Sequence, residues 1–329
     1  MIEISHLVKR YGAKFAVDDI SFSVGRGEIV GFLGPNGAGK STTMNILTGY
    51  LSSTSGTAKV DGIDILESPY EAKKMVGFLP EQPPLYVDMK VDEYLRFIYE
   101  LKKCTLNREK HLDEVCEVTK ISDVRTRMIK NLSKGYRQRV GIAQALVGNP
   151  KVLIFDEPTV GLDPKQIIEI RNLIRNLGSD HTIILSTHIL PEVQAVADRI
   201  VIINQGRIVA DEKTENITRV VEDNRLYSVK ICGPQREVLQ TLKNIPGVVR
   251  ADAVGEREMD SFTYHIESEP GVDVRKPVFF ALAAKGWPII GIEAVGMSLE
   301  DVFMKLMDAS EKKKRQAYSS RTARSGANS

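Results

Sequence analysis

The sequence predicts an α/β protein with a central parallel sheet, followed by a smaller α+β domain at its C-terminal end. Uninterrupted apolar runs at residues 29–33, 152–155 and 182–186 are typical of parallel strands that are buried on both faces. Helical patterns follow the first two runs. Around residues 227–231 the apolar positions alternate with polar ones, which indicates strands with one solvated face.

The composition is that of an ordinary folded protein, with 42% hydrophobic and 27% charged residues. A length of 329 residues is enough for two domains with a substantial core. The net charge of +2 gives the chain no strong attraction to nucleic acid or to a membrane surface, so we expect no nucleic-acid partner.

The cysteines and the apolar runs indicate in which cellular compartment the chain belongs. Cys104, Cys116 and Cys232 are far apart and odd in number, so we expect a reducing compartment without a disulfide framework. The N-terminal stretch lacks the apolar region of a signal peptide, and no apolar run approaches the ~18 residues that a membrane helix needs. The chain is therefore not expected to cross a membrane by itself.

A phosphate-binding loop follows the first apolar run. The sequence GPNGAGKS fits the pattern G-x-x-x-x-G-K-[ST] between a predicted strand and a predicted helix. Glycines let backbone N–H groups surround a phosphate, and the helix N-terminus adds partial positive charge. Lys40 is predicted to reach the β- and γ-phosphates and the Ser41 hydroxyl to bind Mg²⁺. The predicted nucleotide-binding residues of the loop are Gly34, Pro35, Asn36, Gly37, Ala38, Gly39, Lys40, Ser41 and Thr42.

Two adjacent carboxylates end the second apolar run. Asp156 and Glu157 follow residues 152–155 and would repel each other unless a cation or a water molecule lies between them. Asp156 is therefore the predicted magnesium ligand, and Glu157 is the predicted general base for a water molecule.

Three further polar residues lie where an α/β protein places its ligand groups. His188 directly follows the strand at 182–186, which favours the γ-phosphate side of the site. Gln82 lies on a proline-rich loop at the end of a strand predicted at 75–79. Tyr11 lies in a turn upstream of the phosphate loop, where its ring either stacks on a nucleobase or simply packs.

The remaining elements complete the first domain. Strands near residues 2–7 and 20–24 and a hairpin at 56–65 around Asp61-Gly62 predict an antiparallel β subdomain. Apolar stripes predict helices across a subdomain at about 83–150. The last of these helices has Ser133 as its predicted N-cap.

Taken together, these motifs resemble the nucleotide-binding subunit of an ABC transporter, over residues 1–216. The resemblance implies a P-loop NTPase core of the ABC ATPase type, with GPNGAGKS as Walker A and KVLIFDEP as Walker B. It further implies that Tyr11 stacks on adenine, Gln82 is the Q-loop residue beside Mg²⁺, and His188 is the switch histidine. Asp163 then belongs to the D-loop, after Gly161 and Leu162.

The segment LSKGYRQR stands at the place of the family's LSGGQ signature. Ser133 and Gly135 are kept, whereas Lys134 replaces a glycine and Tyr136 replaces the glutamine. This variant resembles type-2 exporter ATPases, including gliding-motility and drug- or polysaccharide-export subunits. The resemblance implies that each ATP lies between the Walker A of one subunit and the signature of another, so that a dimer, expected to be a homodimer, hydrolyses ATP. It also implies an integral membrane permease as partner, contacted through the loop after Gln82, and a location at the cytoplasmic face of the membrane.

The rest of the chain is predicted to be accessory. Residues 217–224 read as a linker, and residues 225–310 as a ferredoxin-like α+β domain in the order β-α-β-β-α-β with a regulatory or dimer-supporting role. The amphipathic segment SLEDVFMKLM near its end resembles the ending of type-2 exporter ATPases. Residues 311–329 are predicted to be a disordered basic tail, which either attaches weakly to anionic lipid headgroups or only improves solubility.

Other ABC functions are alternatives to export. An importer ATPase is the nearest one. A soluble ABC protein acting on ribosomes normally has two cassettes in one chain, and this sequence has one Walker A motif. A DNA-repair ATPase needs a long coiled-coil insertion, whereas the interval from Lys40 to Leu132 has room only for a modest helical subdomain.

Overall fold

The computed structural model describes residues 1–217, 226–258, 260–269 and 271–295. The chain divides into two compact units, Met1–Thr214 and Glu215–Ser329. In the described part of the chain, no helix combines the length and the apolar character that crossing a bilayer requires. The predicted linker at 217–224 lies almost entirely outside the described residues, and the segment SLEDVFMKLM and the basic tail lie wholly outside them.

The first unit is built from two sheets and the helices around them. Its helices are α1 (Lys40–Leu47), α2 (Pro69–Lys74), α3 (Val91–Leu101), α4 (Arg108–Val118), α5 (Lys134–Leu146), α6 (Pro164–Leu177) and α7 (Leu190–Gln194). Its strands are β1 (Ile2–Tyr11), β2 (Lys14–Val24), β3 (Ile29–Leu33), β4 (Ser55–Val60), β5 (Ile63–Asp64), β6 (Val76–Leu79), β7 (Val152–Asp156), β8 (Thr182–Thr187), β9 (Arg199–Asn204) and β10 (Arg207–Lys213).

The central sheet has the strand order β10-β9-β3-β8-β7-β6. The five strands from β9 to β6 are parallel, and β10 pairs antiparallel with β9 at one edge. Every residue of β3, β7 and β8 is buried, as the uninterrupted apolar runs predict for strands with both faces covered. The carboxyl ends of β3, β8 and β7 are therefore neighbours at one edge of the sheet.

The second sheet is antiparallel, in the order β2-β1-β4-β5. Its apolar face contributes Ile2, Ile4 and Phe22 to the same core as Val30 and Phe32 of the central sheet. The ring of Phe22 stacks on that of Phe32 with 5.4 Å between centroids, so the two sheets share one packed interior. This arrangement confirms the predicted antiparallel β region.

Helices α3, α4 and α5 fill the predicted helical region. Helix α3 buries Tyr94, Leu95 and Ile98 on one stripe, which follows from their helical spacing. Helix α5 begins after Ser133, whose hydroxyl accepts a hydrogen bond from the Tyr136 backbone N–H at 3.4 Å.

The second unit contains one described sheet with the order β12-β13-β11-β14, all antiparallel. Two helices pack on one face of this sheet, and the core includes Val229, Tyr264 and Leu282. The elements confirm the predicted order β-α-β-β-α-β. They are β11 (Leu226–Cys232), α8 (Gln235–Lys243), β12 (Val248–Glu258), β13 (Ser261–Ser268), α9 (Arg275–Ala283) and β14 (Ile289–Val295).

The position of Phe32 between the two sheets leads to a stability prediction. Phe32→Ala should lower the free energy of unfolding by about 3–5 kcal/mol, because the side chain is fully buried and its removal leaves a cavity. For a unit of this size, that loss lowers the melting temperature by roughly 6–20 °C in scanning calorimetry. Phe15→Ala is the control, because its ring is 46% exposed, and it should cost less than about 1 kcal/mol. Equal melting temperatures for the two variants would contradict the shared core.

Candidate nucleotide site

The phosphate loop joins the carboxyl end of β3 to the start of α1. Gly37 and Gly39 have φ values of 78° and 111°, a region that favours glycine. A Cβ atom on Gly39 would lie 2.4 Å from the carbonyl oxygen of Ala16, and one on Gly34 would lie 2.2 Å from that of Ile203. Glycine is required at these positions because neighbouring backbone packs directly against the loop.

The ammonium group of Lys40 is buried inside this loop. The side chain is 5% exposed, and Nζ donates hydrogen bonds to the carbonyl oxygens of Gly34 at 2.8 Å and Pro35 at 3.3 Å. Nζ also lies 3.4 Å from Oε1 of Glu157. The loop therefore carries a fixed positive charge, which is held by its own carbonyl groups and by the carboxylate at the end of β7.

The two adjacent carboxylates have different surroundings. Asp156 is the last residue of β7, and the Ser186 hydroxyl of the neighbouring strand β8 donates a hydrogen bond to its Oδ1 atom. The backbone N–H of Glu157 lies 3.1 Å from the carbonyl oxygen and 3.2 Å from the hydroxyl of Ser186. Glu157 has a φ of +49°, which is uncommon for a residue with a side chain, at the point where the chain leaves β7.

His188 contacts the carboxylate of Glu157. Its Nδ1 atom lies 3.0 Å from Oε2 and 3.1 Å from Oε1 of Glu157. The histidine side chain is 39% exposed, whereas that of Glu157 is 8% exposed. Lys40, Glu157 and His188 thus form one connected row, with the carboxylate in the middle and the imidazole at the solvent side.

A cavity of about 450 Å³ lies against this row, a size suited to a small ligand. The ring of Tyr11 lines it and is 52% exposed, so packing does not bury this aromatic side chain. The lining residues are Tyr11, Lys14, Ala16, Asn36, Gly37, Gly39, Lys40, Ser41, Thr42, Glu81, Glu157, Val160 and His188. Gly34, Pro35 and Ala38 belong to the loop backbone behind this lining, where the Ala38 N–H donates to the Pro35 carbonyl oxygen at 3.2 Å.

Five predicted site residues outside the phosphate loop do not line this cavity, and one of them is Asp156 at the end of β7. Gln82 lines a second cavity of about 550 Å³. Ser133 and Gly135 line a third cavity of about 250 Å³ at the start of α5. Asp163 is the N-cap of α6, and its carboxylate accepts a hydrogen bond from the Gln166 N–H at 2.9 Å. The phosphate-loop residues and the signature residues of one chain therefore do not form one site.

The structure adds residues that sequence reasoning missed. Lys14, Ala16, Glu81 and Val160 line the cavity. The Ser186 hydroxyl of β8 donates a hydrogen bond to the Asp156 carboxylate and accepts one from the Glu157 backbone N–H. The sequence carried a signal for Ser186, since it is a polar residue near the end of an otherwise apolar strand. The other four have no local signal, because the fold brings them to the loop from separate segments.

The fold and the site define a phosphate-loop ATPase. A family model described as ABC transporter matches residues 17–160. The Bacillus subtilis ABC transporter ATP-binding protein YhcH is 31% identical over 310 residues, covering 93% of this chain and 95% of the relative. This chain therefore belongs to the ABC transporter ATP-binding proteins. The predictions of this family, of ATP binding and of ATPase activity are confirmed.

Further comparisons agree with this assignment. The bacitracin transport ATP-binding protein BcrA of Bacillus licheniformis is 36% identical over 69% of this chain and 73% of the relative. The Nod factor export ATP-binding protein I of Ralstonia nicotianae is 32% identical over 93% of each protein.

Two solved structures are also similar. An ATP-binding subunit of an ABC transporter has a TM-score of 0.61 and 30% identity, with 67% of this chain and 92% of that chain covered. A dimeric cassette bound to ADP and Pi has a TM-score of 0.59 and 26% identity, with 65% and 99% covered.

The tight fit of Gly39 leads to a binding prediction. Gly39→Ala should weaken ATP binding by at least about 100-fold, roughly 2.8 kcal/mol, because the new Cβ atom displaces the loop from the Ala16 carbonyl oxygen. Gly62→Ala is a matched control, since Gly62 has a φ of 83° but open space around its Cα atom. Titration calorimetry should show ATP binding within about threefold of wild type for this control. Equal affinities in the two variants would refute the assigned loop geometry.

Proposed function

We propose that this chain is the ATPase subunit of an ABC exporter of the type-2 class, working as a homodimer at the cytoplasmic face of the membrane. The observation that carries the proposal is the row formed by Lys40, Glu157 and His188 beside the nucleotide cavity. Relatives of nearly full-length similarity include a Nod factor export protein, and a shorter match is a bacitracin transport protein, which supports export as the direction.

Each residue of the row has a role that its surroundings support. The Lys40 ammonium binds the β- and γ-phosphates, which compete with the loop carbonyls for its hydrogen bonds. Glu157 is the general base that accepts a proton from the attacking water, and its buried carboxylate is oriented by Lys40 and His188. His188, at the open side of the row, positions the γ-phosphate, and Tyr11 stacks on the adenine.

The oxygen donors at this place fit a magnesium ion. Asp156 is buried, and one of its carboxylate oxygens accepts the Ser186 hydrogen bond, which leaves the other for a ligand. Ser41 lines the cavity at the start of α1. Mg²⁺ prefers such hard oxygen ligands, and when bound it neutralises charge on the phosphate oxygens. Gln82 completes the proposed set from the loop after β6, where it lines the neighbouring cavity.

A second copy of the chain supplies the rest of the site. Ser133 and Gly135 lie at the N-terminus of α5, where backbone N–H groups favour an anion, and they are separate from the phosphate loop of their own chain. We propose that they contact the ATP bound by the other subunit, together with Asp163 of the D-loop. The solved relative bound to ADP and Pi is dimeric, which supports a dimer for this chain.

The permease contacts the surface around the second cavity. Gln82 and Pro84 line that cavity, and Tyr86 lies beside them with its ring 5.3 Å from that of Phe97 and 55% exposed. An exposed aromatic group beside a partly apolar cavity is typical of a protein interface. We propose that the membrane partner docks at this place.

The domain boundaries complete the proposal. Residues 1–216 form the ATPase domain, with its helical subdomain at about 83–150, and residues 217–224 link it to an accessory domain at 225–310. The described residues of the second unit contain neither the phosphate-loop pattern nor an adjacent pair of acidic residues. This supports a regulatory or dimer-supporting role rather than a catalytic one.

Glu157 is the decisive residue for the proposed mechanism. Glu157→Gln should bind ATP and form an ATP-dependent dimer but reduce kcat by about 100-fold or more, because the amide cannot accept the proton. Steady-state phosphate release measures kcat, and light scattering with and without ATP measures the dimer. Glu100→Gln, on the exposed face of α3, is the control and should keep wild-type turnover. Wild-type turnover by Glu157→Gln would remove the general-base assignment.

The transport function is tested by finding the partner. Tagged Glu157→Gln protein is purified from detergent-solubilised membranes with ATP and Mg²⁺, and the proteins that accompany it are identified by mass. A multi-spanning membrane protein is the expected result. Ribosomal proteins or DNA in its place would overturn the transport function while leaving the ATPase assignment intact.

A further inference from the structure

Glu192 is a buried carboxylate near the reacting row that the proposed mechanism does not use. It lies on the short helix α7 and is 4% exposed. Its Oε2 atom accepts two hydrogen bonds, from the Thr159 hydroxyl at 2.6 Å and from the Thr187 hydroxyl at 3.1 Å. Both threonines are buried as well. Burying a carboxylate costs free energy unless donors surround it, so these two hydroxyl groups stabilise Glu192 at this place.

The two threonines belong to the segments that carry the reacting row. Thr159 lies two residues after Glu157, in the turn that leaves β7. Thr187 is the last residue of β8 and directly precedes His188. One carboxylate oxygen therefore binds both segments, close to the place where Nδ1 of His188 lies 3.0 Å from Oε2 of Glu157.

Thr187 holds the backbone on both sides of His188. Its hydroxyl, which donates to Glu192, also accepts a hydrogen bond from the Ile189 N–H at 3.2 Å. Its carbonyl oxygen accepts one from the N–H of Gly34, the first glycine of the phosphate loop, at 3.3 Å. The position of Thr187 therefore determines where the backbone of His188 leaves the sheet.

Thr159 fixes the turn after the other catalytic group. Its carbonyl oxygen accepts a hydrogen bond from the Leu162 N–H at 3.2 Å, and the Glu157 carbonyl oxygen accepts one from the Val160 N–H at 3.3 Å. The positive φ of Glu157 persists only where surrounding contacts hold it, and these hydrogen bonds are among them. The same turn leads to Asp163, so a shift of Thr159 moves the D-loop as well.

We propose that Glu192 is a positioning residue of the ATPase reaction, which holds the Glu157 segment and the His188 segment at the spacing that their contact requires. This inference rests on the proposed roles of Glu157 and His188 and adds a third residue that acts through them. A displacement of about 1 Å in a reacting group can cost roughly 100-fold in rate. Since Glu192 does not line the nucleotide cavity, its loss should lower kcat rather than ATP affinity.

The test compares variants of Glu192 in steady-state phosphate release and titration calorimetry with ATP, on the full chain. Glu192→Met, which fills similar space without an acceptor, should lower kcat by about tenfold or more and leave the ATP Kd within about threefold. Glu192→Gln keeps one oxygen that can accept both hydroxyl groups, so it should retain kcat within about threefold.

Thr159 gives the same test from the donor side, and it keeps the inference falsifiable if Glu192→Met does not fold. Thr159→Val removes the hydroxyl at nearly constant volume and should lower kcat by about fivefold, whereas Thr159→Ser keeps the hydroxyl and should retain it. Thr119→Val is the control. It removes a buried hydroxyl that donates to the Val115 carbonyl oxygen at 2.7 Å in the helical subdomain, and it should keep wild-type turnover.

A double-mutant cycle separates positioning from an independent effect. On a His188→Ala background the contact with Glu157 is already lost, so Glu192→Met should cost less than about threefold in kcat. A full tenfold loss on that background, or a loss of ATP affinity at unchanged kcat, would contradict the positioning role. If Glu192→Met and Thr159→Val both match Thr119→Val while Glu157→Gln and His188→Ala lose turnover, this inference alone is overturned. Wild-type turnover by Glu157→Gln overturns the proposed mechanism and this inference together.

Discussion

The contact between the Lys40 ammonium and the Glu157 carboxylate is the interaction on which the site depends. Both groups are buried, and each would be unfavourable without a partner of opposite charge. Lys40 begins the helix that follows β3, and Glu157 directly follows β7. These two strands are not adjacent, because β8 lies between them in the sheet. The strand order therefore determines that these two charged groups meet. Ser186 lies in the middle strand and contacts the Asp156 carboxylate, and His188 directly follows that strand and contacts the Glu157 carboxylate.

The parallel register explains why these ends meet. Leu33 of β3 pairs with Thr187 of β8, and Asp156 of β7 pairs with Ser186. The three strands therefore end within one residue of each other. In parallel sheets the ligand binds outside the carboxyl ends, where helix N-termini and loop N–H groups also point. A shift of one residue in either pairing would turn the polar residues to the other face of the sheet and separate the row.

The sequence predicted those parts of the site that have a local pattern. The phosphate loop is recognisable because its glycines and Lys40 have a fixed spacing between a strand and a helix. The acid pair is recognisable because it directly follows an apolar strand. The sheet elements followed from apolar runs and alternation in the same way. Glu81 and Lys14 had no such signal, since the fold brings them to the cavity from distant segments. For the same reason the sequence could not show that Gln82 lines a different cavity from His188.

Helix α5 connects the place of the proposed ATP contact with the place of the proposed permease contact. Its N-terminus presents Ser133 and Gly135, and near its C-terminal end Gln144 and Ala145 line the second cavity, where the permease is proposed to dock. A helix of this length with buried residues along its body moves as one body, because bending it would break backbone hydrogen bonds and core contacts. A phosphate bound at one end and a partner bound at the other end therefore both contact the same rigid helix. If both proposed contacts form, ATP and the permease each favour a particular position of α5, and by linkage each changes the affinity for the other by the same factor.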